Sequence, residues 1–254
     1  MIESNIEAAT IHELGDGLFV RQEVDNMGWM DIGGWVVVVD TLEHPETKDD
    51  VLAAIHKTVG PDLPIRFVLN THTHGHHTAL KPVFEEMGAQ VINLRNTTIP
   101  EEGRWFEGVS RRARMFPIPG CHTPQDCAVW LPEDRVLFVG DLFGWGLVPY
   151  DGNLRSETFH KIVCTYERLI RLDAKHIVPG HGPLMTTNEL KRCLEYFRHV
   201  TELCWDLACD DMDVEEIQAA IKPPEDMQDW WRFAEWKHQD SVKKIAKAVV
   251  NGWI

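Results

Sequence analysis

The stretch Asn70–Leu80 reads NTHTHGHHTAL and holds four histidines: His72, His74, His76 and His77. Neutral imidazole is a ligand for Zn²⁺ and also suits Fe and Mn, and a carboxylate among imidazoles completes a common donor set. A lone histidine is more often a satisfied core or surface residue than a ligand. Four at the spacing H-x-H-x-H-H form a much stronger signal. Three further positions carry the same chemistry: His122 in PGCHTP, Asp141 in FVGD and His181 in VPGHGP.

What must position them is the apolar run before each. IRFVLN leads into His72, FPIPG into His122, RVLFVG into Asp141 and HIVPG into His181. An α/β sheet gathers binding groups in the loops past its strand ends, at one edge. Upstream, LFVRQEV (18–24) and WVVVVDTL (35–42) predict strands, separated by a polar, glycine-containing turn, DNMGWMDIGG. A helix is expected over 47–58, with acidic residues in its first turn, and another over TALKPVFEEMGA; VINL (91–94) predicts a strand. The polar, arginine-rich stretch 95–114 has no clean period and predicts loop or irregular helix.

The second half echoes the first. CAVWLP, RVLFVGD and HIVPG predict strands, with a long helix over 156–171. TTNE (186–189) has the form of a capping box and opens a helix to about residue 209. The remainder, 212–254, reads as amphipathic helix broken at Lys222-Pro223-Pro224.

The 254 residues suffice to bury a substantial core. A net charge of −15, from 40 acidic and 25 basic side chains, argues against nucleic-acid or anionic-membrane partners; the partner expected is a small-molecule substrate. The N-terminal MIESNIEAAT has no basic region followed by an apolar one, so a cytoplasmic location is expected. The six cysteines form no C-x-x-C pair and predict free thiols, most of them buried or half-buried.

In order, T-H-T-H-G-H-H, P-G-C-H-T-P, F-V-G-D and V-P-G-H-G-P resemble the motifs of the metallo-β-lactamase superfamily over roughly residues 15–200. The resemblance implies a mixed α/β fold, a four-layer αββα sandwich with a binuclear metal site at one edge of two facing sheets. A metallo-β-lactamase-like domain would cover 1–210, and 211–254 would be a C-terminal helical extension packed on the domain or on the partner of a homodimer. Carried over motif by motif, His72, His74 and His122 would hold the first metal, His77 and His181 the second, and Asp141 would bridge. The metals would be divalent, Zn foremost, with Fe or Mn as alternatives.

The family's motif has aspartate where this chain has His76. A histidine there can still coordinate through a neutral nitrogen, and it removes one negative charge from the site. Asp141 and His76 are therefore the candidate catalytic residues. The activity implied is that of a metal-dependent hydrolase in which a metal-bridging hydroxide attacks an ester, thioester, lactone or phosphoester. The alternative is a non-hydrolytic diiron protein that binds, senses or reduces dioxygen, although flavodiiron relatives carry glutamate in the place of His74.

Other departures bear on the substrate. Gly144 stands where many true β-lactamases carry a carboxylate-binding lysine, which disfavours that reaction, and Leu80 stands where glyoxalase II-like members have glycine. Cys121 precedes His122 and reads as a buried inert thiol rather than a soft ligand. Asp126 is expected to orient a ligand imidazole. Phe143, Trp145 and Tyr150 are candidates for the pocket mouth, while Tyr150, His160 and Asp126 are weak candidates for a proton donor. RWFEGVSRRAR (104–114) reads as a solvated basic face or, alternatively, as an anion site.

Overall fold

The computed structural model describes residues 9–142 and 154–254. The first sheet contains β1 (Thr10–Gly15), β2 (Leu18–Gln22), β3 (Met27–Asp31), β4 (Val36–Val39), β5 (Ile65–Leu69) and β6 (Gln90–Ile92), in that spatial order. Strands β1 to β4 form an antiparallel meander, and β5 and β6 add in parallel. The parallel crossovers carry α1 (Lys48–Val59) and α2 (Lys81–Glu86). The second sheet repeats this plan. Strands β7 (Arg104–Glu107), β8 (Arg112–Pro117), β9 (Cys127–Leu131) and β10 (Val136–Gly140) are antiparallel, and β11 (His176–Pro179) joins β10 in parallel after α3 (Ser156–Ile170).

Two-residue periodicity decides which side chains meet. Val37 and Val39 of β4 face inward, with Leu18, Val20 and Leu69, against Met115, Val129, Val136 and Phe138 of the other sheet. Val36 and Val38 face outward onto Val51 and Ile55 of α1 and Phe84 of α2. The outer face of the second sheet packs on α3 and on α4 (Thr187–Cys209). Inside the edge strands β1 and β7 both sheets are thus covered on both faces, which explains the unbroken VVVV run in β4. The result is an αββα sandwich.

Helix α4 starts at a capping box formed by Thr186 and Glu189. After it come α5 (Val214–Ala220), a break at 222–224, a π-helical turn Phe233–Lys237, and α6 (His238–Val250). Ile217, Met227, Phe233, Val242, Ile245 and Val249 join the apolar layer beside α3 and α4. Among the described residues, no helix is long and apolar enough to cross a membrane.

Three local expectations are corrected. The stretch expected to be a turn contains β3, whose Met27, Trp29 and Met30 are fully buried. Its Gly28, which weakens the strand signal, is required because a methyl there would collide with the Phe138 ring. The arginine-rich stretch forms the β7–β8 hairpin. Its arginines lie over aromatic rings, Arg112 and Arg114 flanking Trp105 at 4.8 and 5.4 Å, and pair with Glu133 and Asp134. Helix α2 is shorter than expected, because Gly75–His77 form a 3₁₀ turn and Thr78 caps it.

Candidate metal centre

The sequence places the six histidines and Asp141 past the ends of β5, β8, β10 and β11, and these ends converge at one edge of the sandwich. Asp141 lies at their centre, its side chain 1% exposed. Its Oδ1 is 3.1 Å from His77 Nε2, and its Oδ2 is 3.2 Å from His181 Nε2 and 3.3 Å from His76 Nε2. The same Oδ2 is 3.5 Å from His122 Nε2 and 3.6 Å from His72 Nε2. His74 Nδ1 and His122 Nε2 face each other at 3.2 Å.

Two groups of side chains could each hold a cation: His72, His74, His122 and Asp141, and His72, His76, His77 and Asp141. Within each group the donor atoms lie within 4.8 Å of one another. His181 flanks the second group, its ring 4.9 Å from that of His76 and 5.3 Å from that of His77. His76 therefore points into the cluster, although 29% of its side chain remains exposed.

The donor set fits metal. His72 Nε2 is buried without a hydrogen-bond partner among the described residues, an arrangement that is costly unless something else takes its lone pair. At Gly180 a methyl would run into Asp141 Oδ1 and lie 2.7 Å from His77 Cε1, so the strand end leaves room only for the cluster.

Two carboxylates that the motifs did not reveal hold the second group from behind. Asp40, at the end of β4, accepts hydrogen bonds from Thr71 N at 2.8 Å and Thr71 Oγ1 at 2.7 Å, and lies 3.1 Å from His77 Nδ1. It adopts a left-handed φ of 57°, which aspartate tolerates better than most residues. The His77 carbonyl is fixed as well, accepting from Thr41 N and Asn70 Nδ2 at 2.9 Å each. Asp25 lies 2.8 Å from His181 Nδ1. Such carboxylates fix the tautomer of a ligand imidazole and raise its basicity. A signal for Asp40 existed, since WVVVVD ends an apolar strand in aspartate just as RVLFVGD does.

Burial and charge split the imidazoles. Burial, reinforced by His77, drives the proton affinity of His72 far down, and burial with neighbouring imidazoles lowers His74 and takes His122 to about 4. Burial opposes protonation of His77 too, but Asp141 and Asp40 outweigh it and hold His77 well above the usual range. At His181 the hydrogen bonds to Asp141 and Asp25 likewise overcome burial, giving about 9. Burial would raise Asp141, but His77, His181 and His76 together keep it well below the usual carboxylate value.

Asp126 is corrected in role. It accepts from His122 N at 2.6 Å, Thr123 N at 2.8 Å and Thr123 Oγ1 at 2.6 Å, so it shapes the main chain of the loop rather than the ring. Cys121 packs in the apolar layer, where burial pushes its thiol up to about 12, the state of an inert thiol. His160 is exposed on α3, 3.4 Å from Cys164, and is not part of the cluster. All six cysteines are free; Cys164 and Cys209 are exposed and the rest buried. Phe143, Trp145 and Tyr150 lie outside the described residues.

The sequence profile of the metallo-beta-lactamase superfamily matches residues 76–181. Among curated relatives, the chain is 25% identical over 183 residues to the beta-lactamase-like protein 2 homolog of Caenorhabditis elegans, covering 66% of this chain and 58% of that one. It is 28% identical over 155 residues to a metallo-beta-lactamase type 2 of Pseudomonas aeruginosa, covering 51% and 61%. The chain thus spans less than two thirds of the length of either relative. A solved metallo-beta-lactamase from Pontibacter korlensis superposes with a TM-score of 0.59 at 19% identity, covering 74% of this chain and 97% of that one. The stereoselective inverting sec-alkylsulfatase Pisa1 from Pseudomonas sp. superposes with a TM-score of 0.70 at 14% identity, covering 94% of this chain and 50% of that one. The chain thus shares its fold with solved metallo-beta-lactamases, and its stretch 76–181 is similar to the metallo-β-lactamase superfamily.

Proposed function

We propose that this chain is a binuclear metal-dependent hydrolase acting on a small ester-, thioester-, lactone- or phosphoester-type substrate. The observation that supports it most is the position of Asp141, whose two carboxylate oxygens lie between two overlapping sets of imidazoles. His72, His74 and His122 would hold one ion and His76, His77 and His181 the other, with Asp141 shared. Bound there, divalent metal supplies Lewis acidity, which makes water a nucleophile near neutral pH and stabilises negative charge developing on oxygen.

The chain's own groups do the positioning. Asp40 and Asp25 present the Nε2 atoms of His77 and His181 toward Asp141, and Asp126 shapes the loop that carries His122. His76 marks the open side of the cluster, where a substrate can arrive. With histidine in place of the usual aspartate, Asp141 is the one anionic donor in the set. The centre then keeps more positive charge for an anionic reaction centre.

Elemental analysis of protein purified without added metal, followed by hydrolysis of a panel of esters, thioesters, lactones, phosphodiesters and alkyl sulfates, tests this reading. About two zinc ions per chain with hydrolysis of one class is the expected result. Two irons and an oxygen-dependent visible band would move the assignment to dioxygen chemistry. One metal or none would end the binuclear reading.

A further inference from the structure

Strands β5 and β6 run in parallel with Leu69 opposite Ile92, and Asn70 N donates to the Ile92 carbonyl at 3.0 Å. The loops that follow them therefore leave side by side, at the edge that carries the histidine cluster. Between these loops lies a cavity of about 230 Å³. Thr73 and Thr78 line it from the histidine loop, Lys81 from the start of α2, and Asn93, Arg95 and Asn96 from the loop after β6. Thr73 stands between His72 and His74, so the cavity and the candidate metal centre share one loop.

The lining holds two cations and no carboxylate, in a chain of net charge −15. Arginines elsewhere hold acids: Arg111 pairs with Asp134, Arg112 with Glu133, Arg192 with Asp226 and Arg198 with Glu167. Arg95 bonds through its main-chain N to Asn93 Oδ1, and its guanidinium has no partner among the described residues. Lys81 Nζ lies 3.5 Å from Glu85 Oε1, an exposed pair of little strength, and Glu85 does not line the cavity.

Asn93, 5% exposed, is the buried part of the wall. Its Oδ1 accepts from Arg95 N at 3.0 Å and Asn96 N at 3.1 Å, and Asn96 Oδ1 accepts in turn from Asn93 N at 3.0 Å. These bonds fix the orientation of the Asn93 amide and leave its Nδ2 with no acceptor among the described residues. The Thr73 hydroxyl is unpaired among them too, whereas Asn96 Nδ2 is spent on the Val91 carbonyl and the Thr78 hydroxyl on that of His74. A solvated rim would account for Lys81 and Arg95. It does not account for a buried amide held with its donor unspent, which is costly unless something arrives to accept from it.

We propose that this cavity is a phosphate-group subsite, in which Arg95 and Lys81 supply charge while Asn93 Nδ2 and the Thr73 hydroxyl donate to the same oxyanion. A carboxylate would leave some of these donors unused, whereas the three outer oxygens of a phosphate monoester can take them all. A cavity of about 150 Å³ accommodates benzene, so this one has room for a phosphate and a short chain. The phosphate would belong to the substrate, at the end distant from the bond being cleaved. That last assignment rests on the hydrolase reading above, whereas binding of a phosphate group does not.

The test is calorimetric titration of inorganic phosphate into the zinc-loaded full chain, freed of excess zinc, and into its Arg95→Ala and Asn93→Asp variants. N93D keeps an oxygen for the Arg95 and Asn96 amides and replaces the free amide by a second oxygen. Each variant should bind phosphate about tenfold more weakly, the size of one lost contact to a charged group, with zinc content and melting temperature as before. Three results overturn the subsite: equal affinity in all three proteins, because phosphate then sits on the zinc ions; no binding to the unaltered chain; or zinc loss in both variants, which would make this loop a structural support of the histidine loop.

Hydrolysis of 2-acetoxyethyl phosphate against neutral 2-methoxyethyl acetate then separates a substrate's phosphate from the free ion. A KM about tenfold lower for the phosphate-bearing ester, an advantage lost in R95A, assigns the group to the substrate. Equal KM values in the unaltered chain overturn that assignment and make this a site for free phosphate. Absence of hydrolysis across the whole substrate panel would instead remove the hydrolase reading and leave the phosphate titration standing.

Discussion

The two sides of the histidine cluster are built differently. On one side, His72 meets only a threonine hydroxyl at Nδ1, 3.3 Å away, and its Nε2 is buried without a hydrogen-bond partner among the described residues. On the other, His77 and His181 each have a carboxylate at both ring nitrogens, Asp141 in front and Asp40 or Asp25 behind. The first side is held neutral by desolvation, and the second has its tautomers fixed by charge. A centre assembled this way has one half ready to accept a cation and one half that must first give up protons. The second half is therefore where metal affinity should depend most on residues outside the cluster.

The most damaging change should be Gly180→Ala, since its methyl would meet Asp141 and His77 together in a packed site. We expect metal content to fall toward zero and stability to drop by about 1–3 kcal/mol from overpacking, read by elemental analysis and thermal unfolding. Gly75→Ala is the control: a methyl there meets nothing within 4 Å, and both quantities should hold. If both variants keep full metal, the crowding around Asp141 is not what shapes the centre.

Asp40→Asn and Asp25→Asn come next. Each should weaken metal binding by about 10–100-fold, the usual effect of removing a carboxylate behind a ligand imidazole. The loss should fall on one of the two ions, leaving the His72 side loaded. Asp40→Asn should be the worse, because Asp40 also accepts two hydrogen bonds from Thr71. Stepwise metal titration reads this, and an equal loss of both ions would remove the asymmetry.

His76→Asp probes the charge of the centre directly. One more carboxylate should shift the midpoint of the pH–rate profile upward by less than about one unit. A downward shift would contradict the role given to charge here.

The smallest effect concerns the metal-free chain. His72 and His122 have depressed proton affinities, so the stability they contribute is present above about pH 6.5 and is lost as pH falls through their folded values, about 4 for His122. His181 has a raised one, so its contribution is present below pH 6.5 and is lost as pH rises toward about 9. As far as this cluster sets it, thermal stability should peak near pH 6.5, and zinc should flatten the alkaline decline. A melting temperature that climbs steadily to pH 9 without metal would contradict the split.

The ligand loop could be read from sequence because its histidines stand at fixed short spacing past an apolar strand. The start of α4 was readable for the same local reason, as both halves of its capping box lie within four residues. What escaped depends on distant contacts. Asp40 and Asp25 reach their histidines across 37 and 156 positions, and nothing local marks them apart from the strand end at Asp40. The β7–β8 hairpin was hidden because its charged residues mask a strand pattern that becomes clear only when Arg111 and Arg112 find Asp134 and Glu133. Asp126 was recognised as near the site, but its partner is backbone, which sequence does not distinguish from a ring.

That hairpin has a consequence for how the molecule avoids its own kind. Strand β7 is the outermost strand of its sheet, with an open row of backbone donors and acceptors. An uncharged strand of this length would invite a second chain to dock edge to edge and seed fibrous assembly. Arg104 and Glu107 at its two ends, and the arginines stacked over Trp105, make that docking require the desolvation of several charges at once. Neutralising these charges should therefore show first as aggregation during expression, before any loss of metal.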